Sequence, residues 1–104
     1  KKKIKKFVFH QASKYILDNI NRRLALEKNQ VFENYSKVGN TISASIPIAL
    51  RDASSKRKIS ANDNIIVAGY GVGLSWGSAL LKWSKLLLLK KIKKFLLRTL
   101  LLAC

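Results

Sequence analysis

The chain has 104 residues, which is enough for one domain with a modest core and too short for a two-domain enzyme. Its formal net charge of +16 at pH 7 by itself favours a nucleic acid or an anionic membrane as partner. Eleven of these charges lie in residues 1–6 and 85–98, which contain no acidic residue, so the middle of the chain, at +5, gives that inference little support.

The few metal-binding and nucleophilic residues narrow the possible chemistry. The single cysteine, Cys104, excludes an internal disulfide and a cysteine-based zinc site and is compatible with a reducing compartment. One histidine, His10, and five scattered acidic residues are too few to indicate a Ser-His-Asp triad or a metal site by spacing alone. No signal peptide is visible, and lysines interrupt the apolar runs near the end. We therefore expect a cytoplasmic protein without a transmembrane span.

The first predicted elements are a strand and a helix. Residues 7–9 are apolar, follow a lysine-rich lead-in at residues 1–6 and precede His10, which favours a short buried strand that ends at a functional edge. From Ser13 the apolar residues recur at helical spacing, with polar residues on the other face. Residues 13–24 therefore predict an amphipathic helix with Ser13 as its N-cap.

The middle of the chain predicts a short strand, a turn and a second helix. Residues 31–32 favour the strand, and Gly39 with Asn40 indicates the tight turn. Small and larger apolar residues mix in residues 41–50, which predicts a closely packed helix with a charged exit at residues 51–58. Pro47 is compatible with this helix only in its first turn or at a kink.

Two further apolar runs enclose a glycine-rich segment. Residues 65–68 and 74–83 each predict a strand. Four glycines here imply backbone conformations or close approaches that a side chain would forbid: Gly69, Gly71, Gly73 and Gly77. Their spacing does not match a dinucleotide-binding fingerprint. The order β-α-β-α-β-β predicts an α/β half-domain over residues 7–84.

Residues 85–104 form a cationic, leucine-rich tail whose role the sequence leaves open. On a helical wheel its basic residues occupy one arc and its apolar residues face away, which is typical of a helix lying at a membrane surface. The alternative is an extension without selected function, from a frameshift or a truncated gene. A rival from another functional class is a protein whose two cationic flanks attach it to a membrane or a nucleic acid.

Three segments together resemble one enzyme family. They are HQAS at residues 10–13, GNTISASIPIAL at 39–50 and GYGVGLSWGSALLKW at 69–83. In this order and at these separations they are similar to the C-terminal part of ketoacyl-acyl-carrier-protein synthase III, of the thiolase-fold superfamily. The resemblance runs from about Phe7 to Ser84.

The resemblance implies a thiolase fold, in which two similar α/β halves pair around the active site. It also implies a Cys-His-Asn triad that condenses an acyl thioester with malonyl-acyl-carrier protein and releases carbon dioxide. His10 matches the family's histidine and Asn40 its asparagine, while Gly71, Val72 and Gly73 match the loop whose backbone amide helps to hold the oxyanion. No cofactor is implied, because the substrates carry phosphopantetheine as coenzyme A or acyl-carrier protein.

The chemistry explains why this pair of residue types is suitable. Decarboxylation of a malonyl thioester places negative charge on the thioester oxygen as an enolate forms, and two neutral donors aimed at that oxygen stabilise it. The simpler interpretations are that His10 is a hydrogen-bonded structural residue and Asn40 a turn or capping residue. The glycines would then serve strand packing alone.

The segment after His10 is predicted to lie at the substrate or carrier-protein entrance, with Gln11, Ser13, Lys14 and Tyr15 as its candidates. The family commonly has asparagine where this chain has Ser13, and arginine where it has Tyr15. Val72 stands in place of the middle of three glycines, which predicts a narrower loop. These departures leave open the acyl donor, the carrier and the choice between fatty-acid initiation and specialised acylation.

The family's nucleophilic cysteine lies in the N-terminal half, at a helix N-terminus that lowers its pKa. Cys104 matches no family motif, so we expect a fragment that is inactive alone, needs an N-terminal half and belongs to a homodimer in the complete enzyme. A thiolase-fold relative that makes hydroxymethylglutaryl thioesters or polyketides is the alternative reaction.

Overall fold

The computed structural model describes residues 3–84, which form a three-stranded sheet with strand order β1-β2-β3. Strand β1 spans Ile4–Phe9, β2 spans Asn64–Tyr70 and β3 spans Trp76–Lys82. Strands β1 and β2 are parallel, whereas β2 and β3 form an antiparallel hairpin. Parallel neighbours need a long crossover, and here it carries helices α1 (Lys14–Arg23), α2 (Tyr35–Val38) and α3 (Ser45–Ser55).

Side chains of β1 alternate between two apolar cores on opposite faces of the sheet. Val8 is fully buried and packs with Ala49 and Ala53 of α3. Phe9 packs with Leu17 of α1 in the other core. The alanines of α3 provide the small surface that the sequence predicts for a closely packed helix. Strand β1 therefore lies between α1 and α3.

Strand β1 is longer than predicted, because it begins at Ile4 rather than at residue 7. Ile4 pairs with Asn64 and Lys6 with Ile65 across a register shift. Charged side chains do not prevent backbone pairing when they face outward, and Lys6 also donates through Nζ to the carbonyl of Asn29. The lysine-rich lead-in predicted at residues 1–6 therefore contributes in part to the sheet.

The strand predicted at residues 31–32 is reduced to an isolated bridge between Val31 and Phe7. Phe32 N–H donates to the carbonyl of Phe7 at 3.0 Å. Next, Asn34 N–H donates to the side-chain oxygen of Gln11 at 2.9 Å, and Asn34 becomes the N-cap residue of α2. At Asn34 the backbone N–H thus bonds to the Gln11 side chain and not to the backbone of β1, so the pairing with β1 ends there.

The second predicted helix begins later than residue 41. A 3₁₀ turn spans Ile42–Ala44, and α3 follows from Ser45. Pro47 consequently lies in the first turn of α3, as its missing N–H requires. The one-turn helix α2 is absent from the sequence prediction, and it ends at Gly39, whose φ of 66° is a left-handed conformation that favours glycine.

The β2–β3 hairpin closes through a loop at residues 71–75. Gly71 N–H donates to the carbonyl of Ser75 at 2.8 Å, and the Ser75 hydroxyl donates to the carbonyl of Val72 at 2.9 Å. Gly73 has a φ of 80°, a left-handed conformation that favours glycine, and the next residue, Leu74, also has a positive φ of 58°. Both strands predicted around the glycines are present, with bounds that differ by a few residues.

Within residues 3–84 no helix combines the length and the apolar character that a bilayer crossing demands. The cationic tail at residues 85–104, predicted as an interfacial helix or an unselected extension, lies outside the described residues.

Candidate active site

An open groove of about 780 Å³ lies at the edge where β1 and β2 both end. The carboxyl ends of parallel strands meet at the same edge of a sheet, so segments distant in sequence converge there. Side chains or backbone from the end of β1, the turn before α3, and the end of β2 line it, including His10, Asn40, Ser43, Tyr70 and Gly71.

His10 directly follows β1 and is held by β2. The backbone N–H of His10 donates to the backbone carbonyl of Ala68 at 2.9 Å. Its ring meets the Tyr70 ring edge-on, with centroids 5.5 Å apart and planes at 85°. The Tyr70 hydroxyl donates to the backbone carbonyl of His10 at 3.4 Å, and burial raises the pKa of that phenol above its usual 10.0. These contacts fix the imidazole at the groove wall.

Asn40 is exposed and follows the left-handed Gly39. Its Oδ1 accepts a hydrogen bond from Ile42 N–H at 2.9 Å, an Asx turn that leads the chain towards α3. Because a backbone N–H can only donate, the atom facing it must be the amide oxygen. The Nδ2 group is therefore the donor that this side chain has left to offer the groove.

The glycine loop contributes only in part to the groove. Gly71 and Val72 line it, and Gly73 does not, since its role in the structure is the left-handed turn. The Val72 side chain is fully exposed at the groove rim, and its effect on the width of the loop remains a prediction. Its exposure is the physical reason that valine is accommodated between the two glycines.

Gln11 lies in the interior, and the prediction that it lines a substrate entrance is wrong. Gln11 is 0% exposed, and both the nitrogen and the oxygen of its side-chain amide are hydrogen-bonded. Nε2 donates to the carbonyl of Phe9 at 2.8 Å and to that of Phe32 at 3.4 Å, while Oε1 accepts from Asn34 N–H. A fully buried, fully bonded amide cannot meet a ligand.

The other three entrance candidates lie at the start of α1. Ser13 is the N-cap, and its hydroxyl accepts from Ile16 N–H at 3.4 Å. Lys14 is exposed and pairs with Asp18 at 3.0 Å, and this carboxylate raises the pKa of the ammonium. Tyr15 is 77% exposed. Lys14 and Tyr15 are thus accessible to a partner, whereas the Ser13 hydroxyl is already engaged in capping.

Sequence reasoning missed two residues that shape the site. Tyr70 packs on His10, and Ser45, which is 1% exposed, accepts a 2.7 Å hydrogen bond from Gln11 N–H. An aromatic residue at the end of β2 was a signal for the first, because that strand ends beside β1. Nothing local to Ser45 indicates its partner, which comes from a segment far away in the sequence.

Among residues 3–84, no three histidine, cysteine, aspartate or glutamate side chains lie together in a way that could hold a metal ion. The lining of the described groove includes two side-chain hydrogen-bond donors, the imidazole of His10 and the amide NH₂ of Asn40, whereas Gly71 N–H is already bonded to the Ser75 carbonyl.

The chain is similar to ketoacyl-acyl-carrier-protein synthases III in both sequence and structure. It is 43% identical over 81 residues to the β-ketoacyl-acyl-carrier-protein synthase III of Prochlorococcus marinus strain MIT 9515, covering 78% of this chain and 24% of that protein. With the enzyme of the same name from Clostridium tetani the identity is 38% over 82 residues, which cover 79% of this chain and 25% of that protein. The chain thus spans about a quarter of the length of these curated relatives.

Solved structures give the same result. The β-ketoacyl-acyl-carrier-protein synthase III of Thermus thermophilus superposes with a TM-score of 0.75 at 40% identity, over 78% of this chain and 25% of that chain. The enzyme from Pseudomonas aeruginosa superposes with a TM-score of 0.75 at 38% identity, over 79% and 26%. The predicted α/β portion of a thiolase fold is thereby confirmed.

The matching family model is described as 3-oxoacyl-acyl-carrier-protein synthase III C terminal and matches residues 1–83. This match covers most of the chain and contains every residue that lines the groove. The chain belongs to the 3-oxoacyl-acyl-carrier-protein synthase III C-terminal family.

Proposed function

We propose that this chain supplies the enolate-stabilising half of a decarboxylative condensing enzyme. The reaction joins an acyl thioester to malonyl-acyl-carrier protein and releases carbon dioxide, as in the synthases III to which the chain is similar. The observation that carries the proposal is the meeting of His10 and Asn40 in one groove, beside the backbone of Gly71.

The proposed chemistry uses hydrogen-bond donors alone. As carbon dioxide leaves the malonyl group, the electron pair of the broken C–C bond passes into the thioester, and negative charge collects on its oxygen. An imidazole N–H from His10 and Nδ2–H from Asn40 would donate to that oxygen. Because the Asx turn anchors the Asn40 oxygen, its NH₂ group is held ready and needs little reorganisation as charge develops.

The nucleophile must come from outside the described residues, because residues 3–84 contain no cysteine. We propose that it lies on an N-terminal α/β half that packs against this one. Exposed apolar side chains beside the groove support this arrangement: Ile42 is 76% exposed, Leu74 95% and Trp76 81%. Without that half, the chain is expected to be inactive.

The substrates would carry phosphopantetheine, as acyl-coenzyme A and as acyl-carrier protein, so the proposed reaction requires no separate cofactor. Lys14 and Tyr15 are the proposed contacts for an incoming carrier, because both are exposed on the helix that follows His10. A homodimer is the proposed state of the complete enzyme, and the cytoplasm its compartment.

The test is an assembly of the 104-residue chain with the N-terminal half of a relative. Carbon dioxide release from malonyl-acyl-carrier protein and the formation of the ketoacyl product are both measured. We expect His10→Ala and Asn40→Ala each to lower the decarboxylation rate about 10²–10³-fold, which is typical for removal of one oxyanion donor.

Asn19→Ala is the matched control, because the Asn19 amide donates to the carbonyl of Tyr15 within α1, away from the groove lining. This variant should retain the parental rates. Parental decarboxylation and condensation in both groove variants would show that the assigned roles are wrong.

A further inference from the structure

Buried Gln11 joins three segments, two through its side-chain amide and the third through its backbone N–H. Its Nε2 holds the carbonyl of Phe9 at the end of β1, and its Oε1 holds Asn34 N–H at the start of α2. Its backbone N–H donates to the hydroxyl of Ser45, the first residue of α3. Each of these atoms is buried, so the bonds form away from competing water.

Two of these bonds enclose the segment that carries Asn40. Asn34 and Ser45 are its two ends, and both are attached to Gln11. A further bond, from Asn34 Nδ2 to the Asp52 carboxylate at 2.9 Å, ties the first end to α3 as well. The turn between them is thus clamped at both ends, although Asn40 itself is exposed.

Gln11 is also linked to the other groove residue, His10, which directly precedes it in the chain. Any change in the position of the Gln11 backbone must move the His10 backbone, because the two share a peptide bond. Gln11 therefore bonds to both ends of the segment that contains the asparagine, to Asn34 through its side chain and to Ser45 through its backbone N–H, and directly follows the histidine.

We infer that Gln11 is the positioning residue that sets His10 against Asn40. It acts through these two residues and touches no substrate. This role rests on the proposed function for its catalytic consequence, but the position of the His10 ring can be measured without turnover. Failure of the catalytic proposal and failure of this one are therefore distinguishable.

The experiment uses the full chain labelled with ¹³C at histidine, alone or in the assembly with an unlabelled N-terminal half. His10 is the single histidine, so every labelled ring signal belongs to it, and its Cε1–H signal is the one followed. In the parent it should show nuclear Overhauser contacts to Tyr70, whose ring lies 5.5 Å away between centroids. Gln11→Met removes the amide at similar volume, and we expect the ring signal to shift or split and those contacts to weaken.

Ser45→Ala is the second variant, because it removes only one acceptor and alanine is well tolerated in a helix. It should shift the same His10 signal to a smaller extent, even if Gln11→Met does not fold. Gln30→Met is the matched control, since Gln30 bonds to Glu27 N–H away from the groove, and its His10 signal should equal that of the parent.

In the assembly, Ser45→Ala and Gln11→Met should lower the decarboxylation rate more than they change KM. A merely structural role predicts lower stability with an unchanged His10 signal in the folded molecules. An unchanged signal with retained Tyr70 contacts in Ser45→Ala would overturn the inference, and so would the same result in folded Gln11→Met.

Discussion

The side-chain amides of Asn40 and Gln11 are chemically alike, but their proposed roles differ. Asn40 is at the surface and lines the groove, and its oxygen accepts from Ile42 N–H, which leaves its NH₂ group as a donor. Gln11 is buried with donors and acceptor all used. Burial and the number of bonds, rather than residue type, separate the proposed enolate donor from the residue that positions it.

Asp52 makes the same network sensitive to acid. The Asn34 amide and then the Arg51 guanidinium donate to its carboxylate and lower its pKa below the usual 3.8. A lowered pKa in the folded state stabilises the fold above the ordinary value, and this contribution is lost as the pH falls through the lowered value.

We therefore expect the free energy of unfolding of the parent to decrease as the pH falls below about 3.8. Asp52→Asn should show a shallower decrease, since it has no carboxyl to protonate. Urea unfolding over a pH series measures both slopes. Asn34→Ala, which removes the first donor, should also flatten the slope, and equal slopes in all three proteins would contradict this role of Asp52.

At the scale of elements, the loop between β2 and β3 depends on one glycine conformation. Gly73 has a φ of 80°, where a β-carbon is strained even though nothing lies within 4 Å of it. Gly77 also has open space around the position of a β-carbon, but it sits in the strand β3 with no positive φ. Because neither position is crowded, comparing alanine substitutions at Gly73 and Gly77 isolates the effect of backbone strain.

We expect Gly73→Ala to lower the free energy of unfolding by about 1 kcal/mol, because alanine disfavours the left-handed conformation. Gly77→Ala, the matched control, should be neutral or slightly stabilising. Urea unfolding of the two variants and the parent gives both differences. A larger loss for Gly77→Ala than for Gly73→Ala would contradict the assignment of the turn to Gly73.

Elements with a strong local signal were predictable from the sequence. Helix α1 follows from apolar spacing and the Ser13 cap, and the position of Pro47 in the first turn of α3 follows from its missing N–H. The strand predicted at residues 31–32 is reduced to a single bridge, and helix α2 was not predicted. A long-range hydrogen bond from Asn34 N–H to the Gln11 side chain lies where the bridge ends and α2 begins. No local pattern encodes that contact.

The site was predictable to a similar extent. The family motifs indicate His10 and Asn40, and the structure brings both to one groove. The packing of Tyr70 on His10 and the burial of Gln11 depend on how β1, β2 and α3 meet, which is a property of the tertiary structure. Motif adjacency alone suggested an entrance role for Gln11 that its burial contradicts.

At the scale of the whole molecule, the proposed function makes the groove one wall of a site. It is open, its lining includes the exposed apolar side chains of Ile42 and Val72, and the chain spans about a quarter of the length of its curated relatives. A second half that covers these side chains would exclude water from the groove and strengthen the hydrogen bonds to a developing enolate. Activity is therefore expected of the assembly, with His10 and Asn40 acting on one oxygen.

The most direct test of that claim is a double-mutant cycle on carbon dioxide release from malonyl-acyl-carrier protein in the reconstituted assembly. Two donors to the same oxygen are coupled, so the loss in the variant carrying both His10→Ala and Asn40→Ala should be well below the product of the two single losses. Losses that multiply independently, or parental decarboxylation in either single variant, would contradict the proposal that these residues share one enolate oxygen.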